Sequence, residues 1–431
     1  MESISVGLLG LGTVGSGVVQ IIDQHQDKLM HQVGCKVSVK KILVKDTNKK
    51  RDVYLNGTRL TDDPNEVLAD PDIDVVIEVM GGVDQTREYI LKALENKKHV
   101  VTANKDLMAV HGSELLQTAL ENKCDLFYEA SVAGGIPILR SLAEGLASDR
   151  ITKMMGIVNG TTNYILTKMS QEGRDYEEVL KEAQELGYAE ADPTSDVEGL
   201  DAARKIAILA TLGFSMKVDL DDVHVSGISQ VTQSDLNYCD QLGYTMKLIG
   251  LANRTKSKVE ISVQPTLLPH SHPLAAVHNE FNAVYVYGEA VGETMFYGPG
   301  AGKLPTATAV VSDLVEVAKN MRLEVNGNSV VLPQYPKNLK SDDEINAKYF
   351  LRIHAKDQPG TFAALTSVFS GQNVSLEKIL QLPLTEGNLA EIIIVTHKVS
   401  KLNYEIILQQ LNDLDAVAEV KSSYRVEGEE N

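Results

Sequence analysis

The stretch Ile4-Ser-Val-Gly-Leu-Leu9, followed at once by Gly10-Leu-Gly12-Thr-Val-Gly15, decides the fold. A short apolar run reads as a buried strand, and glycines at this spacing sit where the chain turns from that strand into a helix. Gly10 permits the tight turn, Gly12 lets a diphosphate approach the backbone, and Gly15 lets helix and strand pack closely. The helix start adds N–H groups and the positive end of the helix dipole. Gly10, Gly12, Thr13, Val14 and Gly15 are therefore candidate cofactor-binding positions. A glycine loop of this kind also occurs as a plain structural turn, so its context carries the argument.

That context is an alternation of elements. Strand-like runs at 37–44, 74–80, 99–102 and 125–128 are separated by helical patterns at 13–30, 65–69, 87–95 and 112–122. Short apolar strands between helices give a parallel sheet with right-handed crossovers, an α/β fold of the Rossmann-like, doubly wound kind. From 131 to about 322 the helices lengthen (176–186, 197–214) and mix with strands such as 259–267. This is the pattern of an α+β domain for substrate and dimer contacts. Residues 326–346, rich in Asn, Pro and charge, read as a linker. Beyond it come strand 349–355, helix 361–370, strands 374–380 and 389–396, helix 404–411 and strand 418–425, the ferredoxin-like order. The expected division is 1–130, 131–325, linker 326–346, and 347–431. With a polar linker ahead of it, the last domain is expected to make few contacts and to be separable. The tail 427–431 is expected to be frayed.

Bulk properties narrow the function. The 431 residues are 43% apolar and carry a formal charge of −18, a field that repels phosphate backbones and anionic lipid. Nucleic-acid and membrane partners are thus not expected. The N-terminal sequence lacks a basic stretch ahead of its apolar run, and no run approaches the roughly 20 apolar residues of a membrane span. Three cysteines, Cys35, Cys124 and Cys239, without CxxC spacing, fit a reducing cytoplasm.

Several charged residues stand where chemistry could use them. Lys45 and Asp46 end the second strand: a basic residue there suits a 2′-phosphate, an acidic one a ribose hydroxyl, and an exposed pair without function is equally compatible. Lys105 follows the strand 99–102, on the side where parallel sheets bind ligands, although strand-end lysines are commonly solvated. Lys205 lies in the nearly all-apolar run 202–214, four residues after Asp201. The pair reads either as an ordinary helix pair worth about 0.2–0.5 kcal/mol or as a lysine held in a cleft to exchange a proton. Glu190, Asp192 and Asp196 form an acidic stretch, solvated or available to a substrate ammonium.

Taken together, the runs Val101-Thr-Ala-Asn-Lys105, Tyr128-Glu129-Ala-Ser-Val132-Ala-Gly-Gly-Ile136-Pro, Gly156-Ile-Val-Asn159-Gly-Thr-Thr-Asn163, Leu186-Gly187-Tyr-Ala-Glu190-Ala-Asp192-Pro193, Gly199-Leu-Asp201-Ala-Ala-Arg-Lys205 and Tyr297-Gly-Pro-Gly-Ala-Gly302 resemble homoserine dehydrogenase, in its monofunctional form. The C-terminal unit, with Asp357-Gln-Pro359-Gly360, is similar to an ACT domain. The resemblance implies reversible reduction of L-aspartate 4-semialdehyde to L-homoserine with NADP or NAD. It further implies catalytic lysines at Lys205 (proton donor) and Lys105, substrate carboxylates at Glu190 and Asp201, and cofactor contacts at Gly187 and Gly302, beside Lys45 and Lys105, which their strand-end positions make cofactor-binding candidates. A monovalent cation, sodium, would be held by Glu129 and the carbonyls of Val132, Gly134 and Ile136; that turn also reads as an ordinary glycine-rich connection. A homodimer or homotetramer and an amino-acid effector at the ACT-like domain complete the expectations.

Three other readings fit the residues less well. An acyl-forming aldehyde dehydrogenase needs an activated cysteine, and a zinc alcohol dehydrogenase needs Cys/His sets that the spacing lacks. A non-catalytic metabolite sensor would not need Lys105, Lys205 and Glu190 together.

Overall fold

The computed structural model describes residues 3–51, 53–328, 331–384 and 387–428, which fall into two compact units. The first joins the chain up to Met154 with Arg204–Asp222 and Asn282–Lys337. The second joins Met155–Ala203, Val223–Phe281 and the chain from Asn338 on. The divide passes within the strand Ile151–Ile157 and the helix Leu200–Phe214. Among the described residues no helix is long and apolar enough to cross a membrane.

In the first unit the chain runs β1 (Ser3–Leu9), α1 (Thr13–Gln24), α2 (Gln26–Val33), β2 (Lys36–Leu43), β3 (Arg59–Thr61), α3 (Asn65–Leu68), β4 (Val75–Glu78), α4 (Asp84–Glu95), β5 (His99–Thr102), α5 (Lys105–Glu121) and β6 (Leu126–Phe127). All neighbouring strands are parallel, in the order β3-β2-β1-β4-β5-β6. This is the doubly wound arrangement, whose ligand crevice opens beyond the strand ends between β1 and β4, where the order reverses. Val6, Leu8, Val75 and Ile77 are buried on one face of the sheet and Leu9 and Val76 on the other, which explains the unbroken apolar runs of these strands.

Two local differences from the sequence reading have physical causes. The helix expected over 13–30 bends at His25, and Gln26 holds the corner by donating to the carbonyls of Ile22 and Val37. The helix expected to begin at 112 begins at Lys105, because the Asn104 carboxamide accepts the Leu107 N–H and caps it. One layer of this unit also comes from far along the chain. The helix Lys303–Leu323 packs through Ala307, Val310, Val311 and Leu314 into the core under α1. A Cβ on Gly17 would stand 2.5 Å from the Lys303 carbonyl oxygen, so glycine is required at this helix crossing.

The second unit is built on one sheet. Its strands follow the order Tyr244–Thr255, Lys258–Pro269, Val417–Val426, Asn346–Lys356, Leu389–Thr396 and Leu376–Pro383. The last four, with helices Thr361–Gly371 and Lys401–Asn412, are the expected ferredoxin-like domain. Leu351, Ile353, Ile392 and Ile394 face those helices around Leu365, Phe369, Ile407 and Leu411. Side chains alternate along a strand, so Arg352 and Glu391 point to the other face, where Arg352 meets Asp235 of helix Gln233–Gln241 at 2.7 Å.

The expectation that this domain makes few contacts is not met. Its strand Val417–Val426 pairs in parallel with Lys258–Pro269 through Thr266↔Arg425 and Leu267↔Val426, making one continuous sheet. The polar stretch 326–346 is likewise no loose tether, apart from 329–330, which lie outside the described residues. Asp125 accepts the Gly327 N–H at 2.7 Å and the Asn326 amide at 2.6 Å. Further on, Lys258 pairs with Glu344 and Lys340 with Glu260, while the backbone of 338–340 hydrogen-bonds to Val259. Its charges are spent on pairing, which composition alone does not reveal. Glu427, read as frayed, donates its N–H to Leu267 and pairs with Arg425; 429–431 lie outside the described residues.

Candidate active site

The crevice at the strand reversal is a cleft of about 610 Å³, within the range of roughly 300–1,000 Å³ typical of ligand sites. Gly10, Gly12, Lys45, Lys49, Arg51, Val79, Met80, Gly81 and Gly82 are among its walls. The three loop glycines meet three different demands. Gly10 has φ +102°, open to glycine and strained for other residues. No atom lies within 4 Å of where a Gly12 Cβ would stand, so that space is a cradle for a ligand against bare backbone. A Gly15 Cβ would stand 2.3 Å from the Gly10 carbonyl oxygen. Thr13 and Val14 occupy the first turn of α1, with Gly12 as its cap.

Gly15→Ala is accordingly expected to push α1 off the turn. Overpacking of this kind costs about 1–3 kcal/mol, and dinucleotide affinity should fall about tenfold or more. Fluorescence titration of NADPH checks it; affinity equal to that of the unaltered protein would sink the packing role of Gly15.

Lys45 and Asp46 are exposed at the rim, and the structure adds two basic residues that the sequence reading missed, Lys49 and Arg51. The Arg51 guanidinium is oriented by donation to the carbonyls of Lys49 (2.7 Å) and Asp46 (2.6 Å). The Asp46 carboxylate is engaged by the Asn48 N–H at 2.8 Å. The run Lys49-Lys-Arg51 was a visible signal for this cluster. Glu78, at the end of β4, was also missed. It is fully buried, and its carboxylate accepts the N–H groups of Met80 (2.8 Å) and Gly81 (3.1 Å).

Lys105 is the first residue of α5. Its neighbour Asp106 forms a 2.7 Å ion pair with Arg204, the residue before Lys205. The two lysine-bearing helices are thus fastened together one residue along from each lysine. Lys205 is half-buried on a helix whose Ile206, Ala207, Leu209 and Ala210 are buried. Asp201 lies one turn earlier on that helix.

Asp201, Glu190 and Gly187 belong to the second unit. Asp201 is 4% exposed and accepts from the Asn159 amide at 2.8 Å; the same amide donates to Asp196 at 2.7 Å. Asn159 thereby organises two carboxylates while its oxygen caps helix Gly160–Glu172 through the Thr162 N–H. Thr161 donates to the Tyr188 carbonyl at 2.6 Å, anchoring the segment that carries Gly187 and Glu190. Glu190 is exposed, and Gly187 has φ +77°.

Back in the first unit, Gly302 (φ +121°) opens the helix Lys303–Leu323. Its loop packs on the Val132–Ile136 turn: a Cβ on Gly134 would stand 2.4 Å from the Gly300 carbonyl oxygen. Ala133 and Gly134 both have φ +55°, which turns successive carbonyls of this segment. Glu129 is buried; its two carboxylate oxygens each accept a backbone N–H, from Leu139 and Arg140, at 2.8 Å. Burial raises its carboxyl above the ordinary range, the Arg140 charge and those N–H bonds opposing. Asp313, beside it, is pushed up to about 7 by burial and by the Glu129 charge, although Arg140 pairs with it at 2.8 Å.

The cysteines are buried thiols. Burial pushes Cys124 up to about 11 and raises Cys239 well above its ordinary value, the reverse of what a nucleophile needs.

The chain is similar to known proteins along most of its length. Residues 10–129 match the homoserine dehydrogenase NAD-binding domain, 137–315 the homoserine dehydrogenase family, and 349–416 the ACT domain. The chain is 71% identical over 429 residues to homoserine dehydrogenase of Bacillus subtilis (strain 168), covering 99% of each. Its fold is similar to that of a homoserine dehydrogenase from Thiobacillus denitrificans, with TM-score 0.94, 38% identity and 99% coverage of each chain. It is also similar to a hyperthermophilic archaeal homoserine dehydrogenase solved with NADPH, with TM-score 0.62 and 27% identity over 73% of this chain and 97% of that one.

Proposed function

The chain belongs to the homoserine dehydrogenase family and is an NAD(P)-dependent oxidoreductase acting on a hydroxyl group, and we propose that it reversibly reduces L-aspartate 4-semialdehyde to L-homoserine, on the way to threonine, methionine and isoleucine. The observation that carries this reading is the Arg204–Asp106 ion pair, which joins the helices of Lys105 and Lys205. The bound nicotinamide supplies a hydride to the aldehyde carbon. Lys205 gives a proton to the carbonyl oxygen as the alcohol forms, and takes it back in the reverse direction. Lys105 adds positive charge beside the developing alkoxide. Asp201 and Glu190 hold the substrate ammonium, with Asn159 keeping Asp201 in place. Gly187 and Gly302, each at positive φ, contribute cofactor contacts.

NADP is the preferred cofactor in this proposal, because Lys45, Lys49 and Arg51 line one end of the cleft and offer cations to a 2′-phosphate. The test is turnover of L-homoserine with NADP or NAD, followed by nicotinamide absorbance. Hydrogen bonds to charged groups contribute about 1.5–3 kcal/mol, so Arg51→Ala should cut kcat/KM for NADP roughly 10- to 100-fold while leaving the NAD value nearly unchanged. Equal losses with both cofactors would sink the 2′-phosphate reading, and absence of turnover with either would sink the activity.

A monovalent cation, sodium, is proposed beside Glu129, with the carbonyls of Val132, Gly134 and Ile136 as further ligands. Charge balance supports it: Glu129 and Asp313 are two buried carboxylates, and among the described residues the Arg140 guanidinium is the one cation paired with either. At the ACT domain an amino-acid effector is proposed where Asp357-Gln-Pro-Gly360 enters helix Thr361–Gly371. There Gly360 has φ +94°, and the buried Thr361 hydroxyl has no hydrogen-bond partner among the described residues. We further take the enzyme to work in the cytoplasm, as a homodimer or homotetramer. Free buried thiols suit the compartment, and exposed Val291 and Tyr297 at the edge strand Gly292–Pro299 suit a second copy.

A further inference from the structure

We propose that Glu78 is a positioning residue, whose buried carboxylate fixes the Met80–Gly82 loop of the cofactor cleft and the helix start that carries Lys105 relative to each other. The inference rests on the roles given above to the cleft and to Lys105.

Glu78 ends β4 in a run otherwise made of Val, Ile and Met, and is 0% exposed. Among the described residues no lysine or arginine forms an ion pair with it. A buried carboxylate without a cation is costly, and an apolar residue would serve the strand better. Its hydrogen bonds show what it does instead. One oxygen accepts the N–H groups of Met80 and Gly81. The other accepts the Thr102 hydroxyl, at 2.5 Å, from the end of β5. Thr102 in turn accepts the Asn104 N–H at 3.0 Å. The Asn104 carboxamide donates to the Gly82 carbonyl at 2.7 Å and accepts the Leu107 N–H at 3.1 Å, capping α5 at Lys105. The bonds close a ring: Glu78, the glycine loop, Asn104, Thr102 and back to Glu78.

The loop needs such a tie. Gly81 and Gly82 have φ +75° and +77°, and no atom lies within 4 Å of a Cβ position at Gly81, so packing does not hold it. Three side chains do: the Glu78 carboxylate, the Asn104 carboxamide on the Gly82 carbonyl, and the Thr86 hydroxyl, which donates to the Gly81 carbonyl at 2.7 Å. Met80, Gly81 and Gly82 line the cleft, so their placement sets where the dinucleotide lies with respect to Lys105.

The ring has two branches, and they can be cut separately in the full-length enzyme. Glu78→Gln alters the shared corner and should raise the NADPH dissociation constant, read by fluorescence titration, by about tenfold. Thr102→Val cuts only the branch to α5. It should lower kcat about tenfold or more while leaving NADPH affinity within about twofold, because misplaced groups cost rate rather than binding. Thr102→Ser, which keeps the hydroxyl, should restore most of kcat. A Thr102→Val enzyme with kcat unchanged, or a Thr102→Ser enzyme as slow as the valine variant, overturns the proposal. So does Glu78→Gln with NADPH affinity unchanged. If Glu78→Gln does not fold, the Thr102 pair decides alone. Failure of the unaltered enzyme to turn over homoserine would overturn the catalytic reading instead, and the NADPH titrations would still report on the loop.

Discussion

Lys205→Ala is expected to lower kcat about a hundredfold or more in both directions, with NADPH affinity nearly unchanged, since general acid–base catalysis contributes roughly 10²–10⁴-fold. The aldehyde oxygen gains charge as the hydride arrives, and without a donor that charge must be met by water. The substitution is otherwise mild. Lys205 is half-buried, and alanine favours the helix. The Arg204–Asp106 pair, which holds the Lys105 helix, is formed by other residues and should persist. Steady-state rates with homoserine and with semialdehyde, beside NADPH titration, separate the two effects. A variant that keeps a tenth of its rate, or that loses affinity in step with rate, removes Lys205 from the role of proton donor.

The largest expected effect on stability is at Arg352. Its guanidinium donates to Asp235 (2.7 Å), Glu391 (2.9 Å) and Thr232 (3.2 Å). Asp235 also accepts from the hydroxyls of Thr232, Ser422 and Tyr424, and Glu391 from that of Tyr238. Arg352→Ala would leave two buried carboxylates without their cation, which costs about 3–5 kcal/mol. Equilibrium denaturation followed by circular dichroism checks this, and a loss under about 1 kcal/mol would show that water or a moved side chain replaces the guanidinium. Burial alone would raise both carboxyls. At Asp235 the Ser422 and Thr232 hydroxyls and the Arg352 charge outweigh it, and at Glu391 Tyr238, Arg352 and His354 do, so both end below the ordinary range. Their contribution is therefore present at neutral pH and is lost as pH falls below about 4, through their native-state values.

What could be read in advance follows a physical line. Features encoded by neighbours in sequence were legible: the glycine loop after β1, the alternation that gives the parallel sheet, and the ferredoxin-like order. Features made by distant pairs were not. Ala307 under α1, the parallel joint Thr266↔Arg425, and the meeting of Arg352 with Asp235 leave no local periodicity. At the site, Lys105 and Lys205 were visible as lysines near apolar elements, but their linkage by Arg204 and Asp106 was not. Glu78 does leave a signal, an acid inside the otherwise apolar run Val75-Val-Ile-Glu-Val-Met80, but one that a strand end also accounts for. The pairing within 326–346 leaves no such mark, because Asn, Pro and charge look alike whether solvated or paired.

The shared sheet of the second unit has a bearing on biosynthesis. Arg425 reaches Glu260 across 165 residues of chain, so the long hairpin Tyr244–Thr255/Lys258–Pro269 leaves the ribosome well before the strand that covers its edge. His224–Val225, made earlier, pairs with that edge at Ser262 and Val263, but at about 5–20 residues per second the part at Thr266 and Leu267 stays open for roughly ten seconds or more. An open strand edge invites pairing with another chain. Lys258 and Glu260, charged residues on that strand, discourage such pairing at its start until Glu344 and Arg425 arrive to pair with them. Chains that stall or are truncated within the ACT domain would expose this edge indefinitely, and aggregation, rather than an unregulated enzyme, is the expected fate of such fragments.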